Sequence, residues 1–165
     1  MSNPNYLIDQ GLLEFLESDI AILVATRDSS NQPIISRGFG IRVSDDCTQL
    51  TVFLTDIQSR QLIHDALQSD HLAVNAANVT NYESYQIKGR HVQQVELNRK
   101  DERHISKYLR GIQEQMMLVG VSPEQAATIF QSAESQKLLA LQFTAHEVFH
   151  QTPGPGAGKS RPQPE

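Results

Sequence analysis

The chain has 165 residues, a formal net charge of −5 and a sequence pI near 5.6, with no run of lysine or arginine. That length suits one domain with a core sizeable enough to need no disulfide or structural metal, and the acidic balance argues against nucleic acid or an anionic membrane as partner. The single cysteine, Cys47, sits in the turn-like SDDCTQ and excludes an intrachain disulfide, the N-terminus lacks a signal-peptide pattern, and no stretch approaches a membrane span, so the chain reads as soluble and cytoplasmic.

Residues 5–18, NYLIDQGLLEFLES, place Leu7, Ile8, Leu12, Phe15 and Leu16 on one helical face. The apolar run IAILVATR, 20–27, has the length and branching of a buried strand, and DSSNQ turns it into a second strand, PIISRGFGIRV, over 33–43. SDDCTQ then leads to a third strand at 50–55, giving an antiparallel meander. DIQSRQLIHDALQ is helical, with Leu62, Ile63, Ala66 and Leu67 on its apolar side; strands follow at 71–78 and 84–97.

From Arg99 the pattern becomes helical again, with Ile105, Leu109, Ile112 and Met116 on one face. Ser122, Pro123 and Gln125 form a helix start: a serine cap, proline at the first position and glutamine closing the box. This second helix, 123 to about 132, is expected to fold back on the first. Leu139, Leu141 and Phe143 alternate with smaller or polar residues as a closing strand, and 153–165 is a Pro/Gly-rich segment that reads as a mobile tail after a single domain at 1–152. About six mainly antiparallel strands with flanking helices and an inserted helical pair define an α+β barrel.

Three features carry possible chemistry. In the strand at 33–43, period-two counting puts Arg37 on the same face as Ile35, Phe39, Ile41 and Val43, where a buried guanidinium would require an anion. The opposite face, Ser36, Gly38 and Gly40, lacks bulk and admits a flat ligand or another backbone. The alternative has Arg37 leaning out to an acid at a subunit interface, or displaced by a bulge.

At the helix starting near 56, Thr55, Ser59 and Arg60 combine hydroxyls, a guanidinium and a helix N-terminus, a set suited to phosphate; an ordinary cap from Asp56 or Ser59 with a solvated Arg60 is the plain alternative. Finally, His146, Glu147 and His150 spell His-Glu-x-x-His. On a helix the two imidazoles stand about 6 Å apart along the axis and converge on zinc. On a strand they stand roughly 13 Å apart, and the alternation before them, Pro153 after them and the lack of a third ligand downstream all favour a strand.

In order, the N-terminal helix, ILVATRDSSNQPIIS, LTVFLTDIQSRQL, SYQIKGR and FHQTPGPGAG resemble the FMN-binding split barrel of the pyridoxamine 5′-phosphate oxidase-like family over about residues 13–158. The resemblance implies an oxidoreductase that binds FMN in clefts of a homodimer and carries no zinc. It assigns Arg37, Gly38 and Phe39 to the strand lining the flavin, Thr55, Ser59 and Arg60 to the phosphate, and Gln86 and Lys88 to the ring or ribityl chain. Gln61 stands where the family often has a lysine, which removes one phosphate charge. The substrate is not implied, and a barrel serving as a non-catalytic binding or scaffold protein, with weak or no flavin binding, is the alternative. The helical pair near 100–132 would serve as a cleft lid or a dimer contact.

Overall fold

The computed structural model describes residues 7–162. Positions 5 and 6 of the expected first helix and 163–165 of the expected tail lie outside the described residues. The elements run α1 Gln10–Leu16, β1 Ala21–Arg27, β2 Pro33–Arg37, β3 Ile41–Val43, β4 Gln49–Thr55, α2 Asp56–Ser69, β5 Leu72–Ala77, β6 Ser84–Val95, α3 Arg99–Leu118, α4 Pro123–Ser135 and β7 Leu138–His150.

The seven strands form one antiparallel sheet in the order β2-β1-β5-β6-β7-β4-β3. β2 and β3 lie at opposite ends of that order although three residues join them, and this closes the sheet on itself. The Gly38 N–H donates to Ile22 O on β1 at 3.0 Å, while the next N–H, on Phe39, donates to Phe53 O on β4 at 2.8 Å. The strand expected over 33–43 is therefore two strands with a crossover between them. Gly38 is required there because a Cβ would stand 2.5 Å from Ile22 Cγ2.

The crossover corrects the face assignment. Ile35 is 64% exposed and shares the outer face with Arg37, whereas Phe39, Ile41 and Val43 are buried. Alternation holds along an uninterrupted strand, and the break at 38–40 resets it.

Inside the barrel, Ile22, Val24, Leu50, Val52, Leu54, Val74, Ile87, Leu141 and Phe143 are fully buried. Such burial of branched and aromatic side chains is the main drive for closure. Helix α2 lays Leu62, Ile63 and Ala66 into the same core. The expected helical pair is present. α3 begins with a capping box from Asn98 and Asp101, α4 with the one from Ser122 and Gln125, and the two helices pack together. They cover one half of the sheet's outer side: Phe53 of β4 meets His104 with ring centroids 6.1 Å apart, and Phe39 meets Phe130 at 6.4 Å. A buried contact holds α3 in place, Arg42 Nε standing 2.7 Å from Oδ1 of the fully buried Asp101.

Residues 153–162 do not trail away as expected. Arg161 N–H donates to Val148 O at 2.7 Å, its guanidinium binds Asp9 at 2.9 Å, and His150 N–H donates to Lys159 O. No helix among the described residues is long and apolar enough to cross a membrane.

Candidate functional site

The half of the outer sheet that α3 and α4 leave bare is ordered by strand register. One row reads Arg37, Leu23, Asn75, Gln86, Phe149 across β2, β1, β5, β6 and β7, and the next reads Ile35, Ala25, Ala73, Lys88, Glu147. Leu23 is 38% exposed on this face. Arg37 and Gln86 thus share a row about 14 Å long, three interstrand spacings. Lys88 is exposed and holds its Nζ 4.6 Å from the centre of the Phe149 ring.

Arg37 meets no carboxylate among the described residues. It is half-buried, in no ion pair among the described residues, and its guanidinium carbon stands 5.4 Å from the centre of the Phe130 ring on α4. Its charge also reaches Tyr108. Burial pushes that phenol above the usual tyrosine range, the Arg37 charge partly opposes the shift, and the hydroxyl donates to Ile20 O at 2.9 Å. With Gln58, Thr128, Gln131 and Ser132, Arg37 lines a polar cavity of about 240 Å³ between the first turn of α2 and α4.

The residues at the start of α2 divide between inside and outside. Thr55 is fully buried at the N-cap, but its hydroxyl neither caps the helix nor finds a hydrogen-bond partner among the described residues. Ser59 is also fully buried, its Oγ 2.6 Å from Ser36 Oγ on β2. Arg60 is exposed and in no ion pair among the described residues; Gln61 turns back to Asp65 Oδ1 at 2.9 Å. The Asp56 N–H is taken by Lys137 O at 2.9 Å. The Ser36–Ser59 contact brings β2 and α2 together, so Arg37 and the α2 N-terminus are neighbours. Gly38 is buried in the crossover and the buried Phe39 ring packs against Phe130 of α4, so neither presents a side chain to the bare half of the outer face. Gln86 and Lys88 lie across the sheet from Arg37, on β6, three strands away from β2.

The pairing of Ser36 with Ser59 and of Arg37 with Phe130 leaves no local signal in the sequence, where Ser36 is only a position without bulk.

The His-Glu-x-x-His stretch lies on β7, as its alternation implied, with Val148 buried between the two histidines. The pairing of β6 with β7 slips between Lys88 and Gly89: Lys88 faces Glu147 and Gly89 faces Ala145, leaving His146 as the extra residue. Gly89 permits this bulge, since a Cβ there would stand 2.1 Å from the Thr144 carbonyl oxygen. His150 instead packs on Tyr85, ring centroids 4.7 Å apart. Among the described residues no group of three or more His, Cys, Asp or Glu is placed to hold a metal ion.

No family model and no curated protein matches the sequence. Solved structures do match in fold. An F420 reductase aligns with a TM-score of 0.53 at 11% identity, over 82% of this chain and 93% of that one. A putative pyridoxamine 5′-phosphate oxidase from Lactobacillus delbrueckii aligns with a TM-score of 0.52 at 12% identity, over 90% and 99%. HupZ from Group A Streptococcus aligns with a TM-score of 0.50 at 18% identity, over 90% and 98%. The closed antiparallel sheet, its flanking helices and these alignments together establish that the chain has the pyridoxamine 5′-phosphate oxidase-like split-barrel fold.

Proposed function

We propose that this protein binds FMN and is an oxidoreductase acting on a small molecule, working as a homodimer. The observation that carries the reading is the polar cavity that Arg37 lines with Gln58 of the first turn of α2, where the 2.6 Å contact between Ser36 and Ser59 holds β2 against the helix that carries Thr55 at its N-cap and Arg60 just beyond its first turn. The positive end of a helix dipole with guanidinium groups beside it suits a phosphate. The partnerless Thr55 hydroxyl supports the fit, because a buried donor without an acceptor is costly and a phosphate oxygen satisfies it.

When bound, FMN supplies hydride or electron transfer through its isoalloxazine. The chain's own residues bind, orient and exclude water. Arg37 and Arg60 neutralise the phosphate, and Gln86 and Lys88 offer hydrogen bonds along the same face. Leu23 and Ile35 give an apolar bed, which a second copy of the chain would close from above.

Replacing Arg60 with alanine is expected to weaken FMN binding by about 1.5–3 kcal/mol, the range for a hydrogen bond to a charged group. Titration followed by quenching of flavin fluorescence measures the change. Equal affinity in Arg60→Ala and the parent removes Arg60 from the site.

A second reading, a non-catalytic binding or scaffold protein, is favoured by the Asp56 N–H being occupied by Lys137 O and by Gln61 supplying no charge. A colourless protein that takes up no added FMN would select it.

A further inference from the structure

The bare sheet face does not end at Lys88. Beyond the row Ala25, Ala73, Lys88, Glu147, the next residues facing the same way on β1, before β5 and on β6 are Arg27, His71 and Arg90. All three line a cavity of about 600 Å³, together with Lys88, His146 and Glu147. His146 lines it because the bulge opposite Lys88 and Gly89 leaves it beside Glu147 on the exposed side of β7. Ala25, Ala73 and Gly89 form a floor with little bulk. The near edge of the cavity is the Ala25, Ala73, Lys88, Glu147 row, about 7 Å along the strands from the Arg37 row, and Arg27, four residues along β1 from Leu23, marks its far end at roughly 13 Å.

Its electrostatics run against the rest of the chain. Three fixed cations, Arg27, Lys88 and Arg90, and two imidazoles line one concavity with Glu147 as the only acid among them, in a protein of net charge −5. Among the described residues none of the three cations is in an ion pair; Arg27 bonds the side-chain oxygen of Asn31, and Lys88 lies over the Phe149 ring. Like charges gathered in a concavity repel one another, and the cost is recovered when an anion enters, because a concave wall focuses the field. Guanidinium groups at two corners offer paired N–H donors to a planar or tetrahedral oxyanion.

We infer that this cavity is a second anion site, separate from the α2 N-terminus, for a small ligand carrying two or more negative charges as phosphate or carboxylate groups. The inference does not rest on the flavin reading.

Calorimetric titration of the intact protein with pyrophosphate and, separately, with citrate tests it and distinguishes the two sources of charge. Saturable binding of at least one is expected. Arg90→Ala should weaken that binding about tenfold or more, Arg90→Lys should restore part of it, and Arg103→Ala, on the exposed side of α3, should not change it. Arg90 is exposed, so its variants are expected to keep the parent's melting curve. Absence of binding by both ligands, equal affinity in Arg90→Ala and the parent, or a larger loss in Arg60→Ala than in Arg90→Ala would overturn the assignment.

Discussion

Phe130 is where the inserted helical pair, the barrel crossover and the candidate site meet, so truncating it tests all three. Its ring is fully buried, edge-on to Phe39 with centroids 6.4 Å apart and an interplanar angle of 78°, and lies beneath the Arg37 guanidinium at 5.4 Å. Removing a buried phenyl ring costs about 3–5 kcal/mol when the cavity cannot collapse. Collapse is hindered here because Phe39 is fixed on its far side by the backbone bond to Phe53. The cation–π share, about 0.5–2 kcal/mol, lies within that total. Against a stability of about 5–15 kcal/mol that total is a large fraction, and it lowers the melting temperature by roughly 6–20 °C. Urea denaturation followed by circular dichroism measures the loss, and a double-mutant cycle with Arg37→Ala isolates the ring–guanidinium coupling. A loss below about 1 kcal/mol in Phe130→Ala, or zero coupling in the cycle, would refute the docking of α4 described here.

Thr55→Val replaces a buried, partnerless hydroxyl by a methyl group of similar size, so the ligand-free protein should be as stable or gain up to about 1 kcal/mol, while FMN affinity should fall. Thermal melts with and without FMN check both halves. At the C-terminal end, burial alone would raise the pKa of Asp9, but the Leu12 N–H and Arg161 more than offset it and hold the carboxyl below the usual aspartate range. A carboxyl depressed in the folded state stabilises it above the ordinary range, and that contribution is lost as pH falls through the lower native value. Hydrogen exchange at the Gly158 and Arg161 amides, both bonded to β7, should therefore quicken relative to the core on acidification from about pH 5 to about pH 3. Arg161→Ala should abolish that extra sensitivity.

Much of the fold was legible because the chain is punctuated locally. Turn residues bracket short branched strands, and Ser122, Pro123 and Gln125 announce α4 where the structure starts it. The strand character of β7 followed from three residues of alternation and one proline, enough to set aside a helical reading of His146 and His150. Closure was not legible. Gly38 was read as leaving room for a ligand or another backbone, whereas it leaves room for Ile22, and the switch of partners there turned Ile35 outward against simple counting. Composition also misled at 153–162, where glycine and proline suggested mobility but backbone bonds to β7 and the Arg161–Asp9 pair tie the segment down. At the candidate site the residue types were readable and their partners were not. Whether Ser59 meets Ser36, or Arg37 meets a phenyl ring, is settled by packing between elements distant in sequence.

The most direct test of the flavin reading is equilibrium dialysis of the purified protein against excess FMN, with bound flavin quantified from its visible spectrum after denaturation. One FMN is expected for each chain, lost at a given FMN concentration when Arg37 and Arg60 are both replaced by alanine. A protein that retains no flavin, or a doubly substituted variant that retains as much as the parent, would contradict the flavin reading.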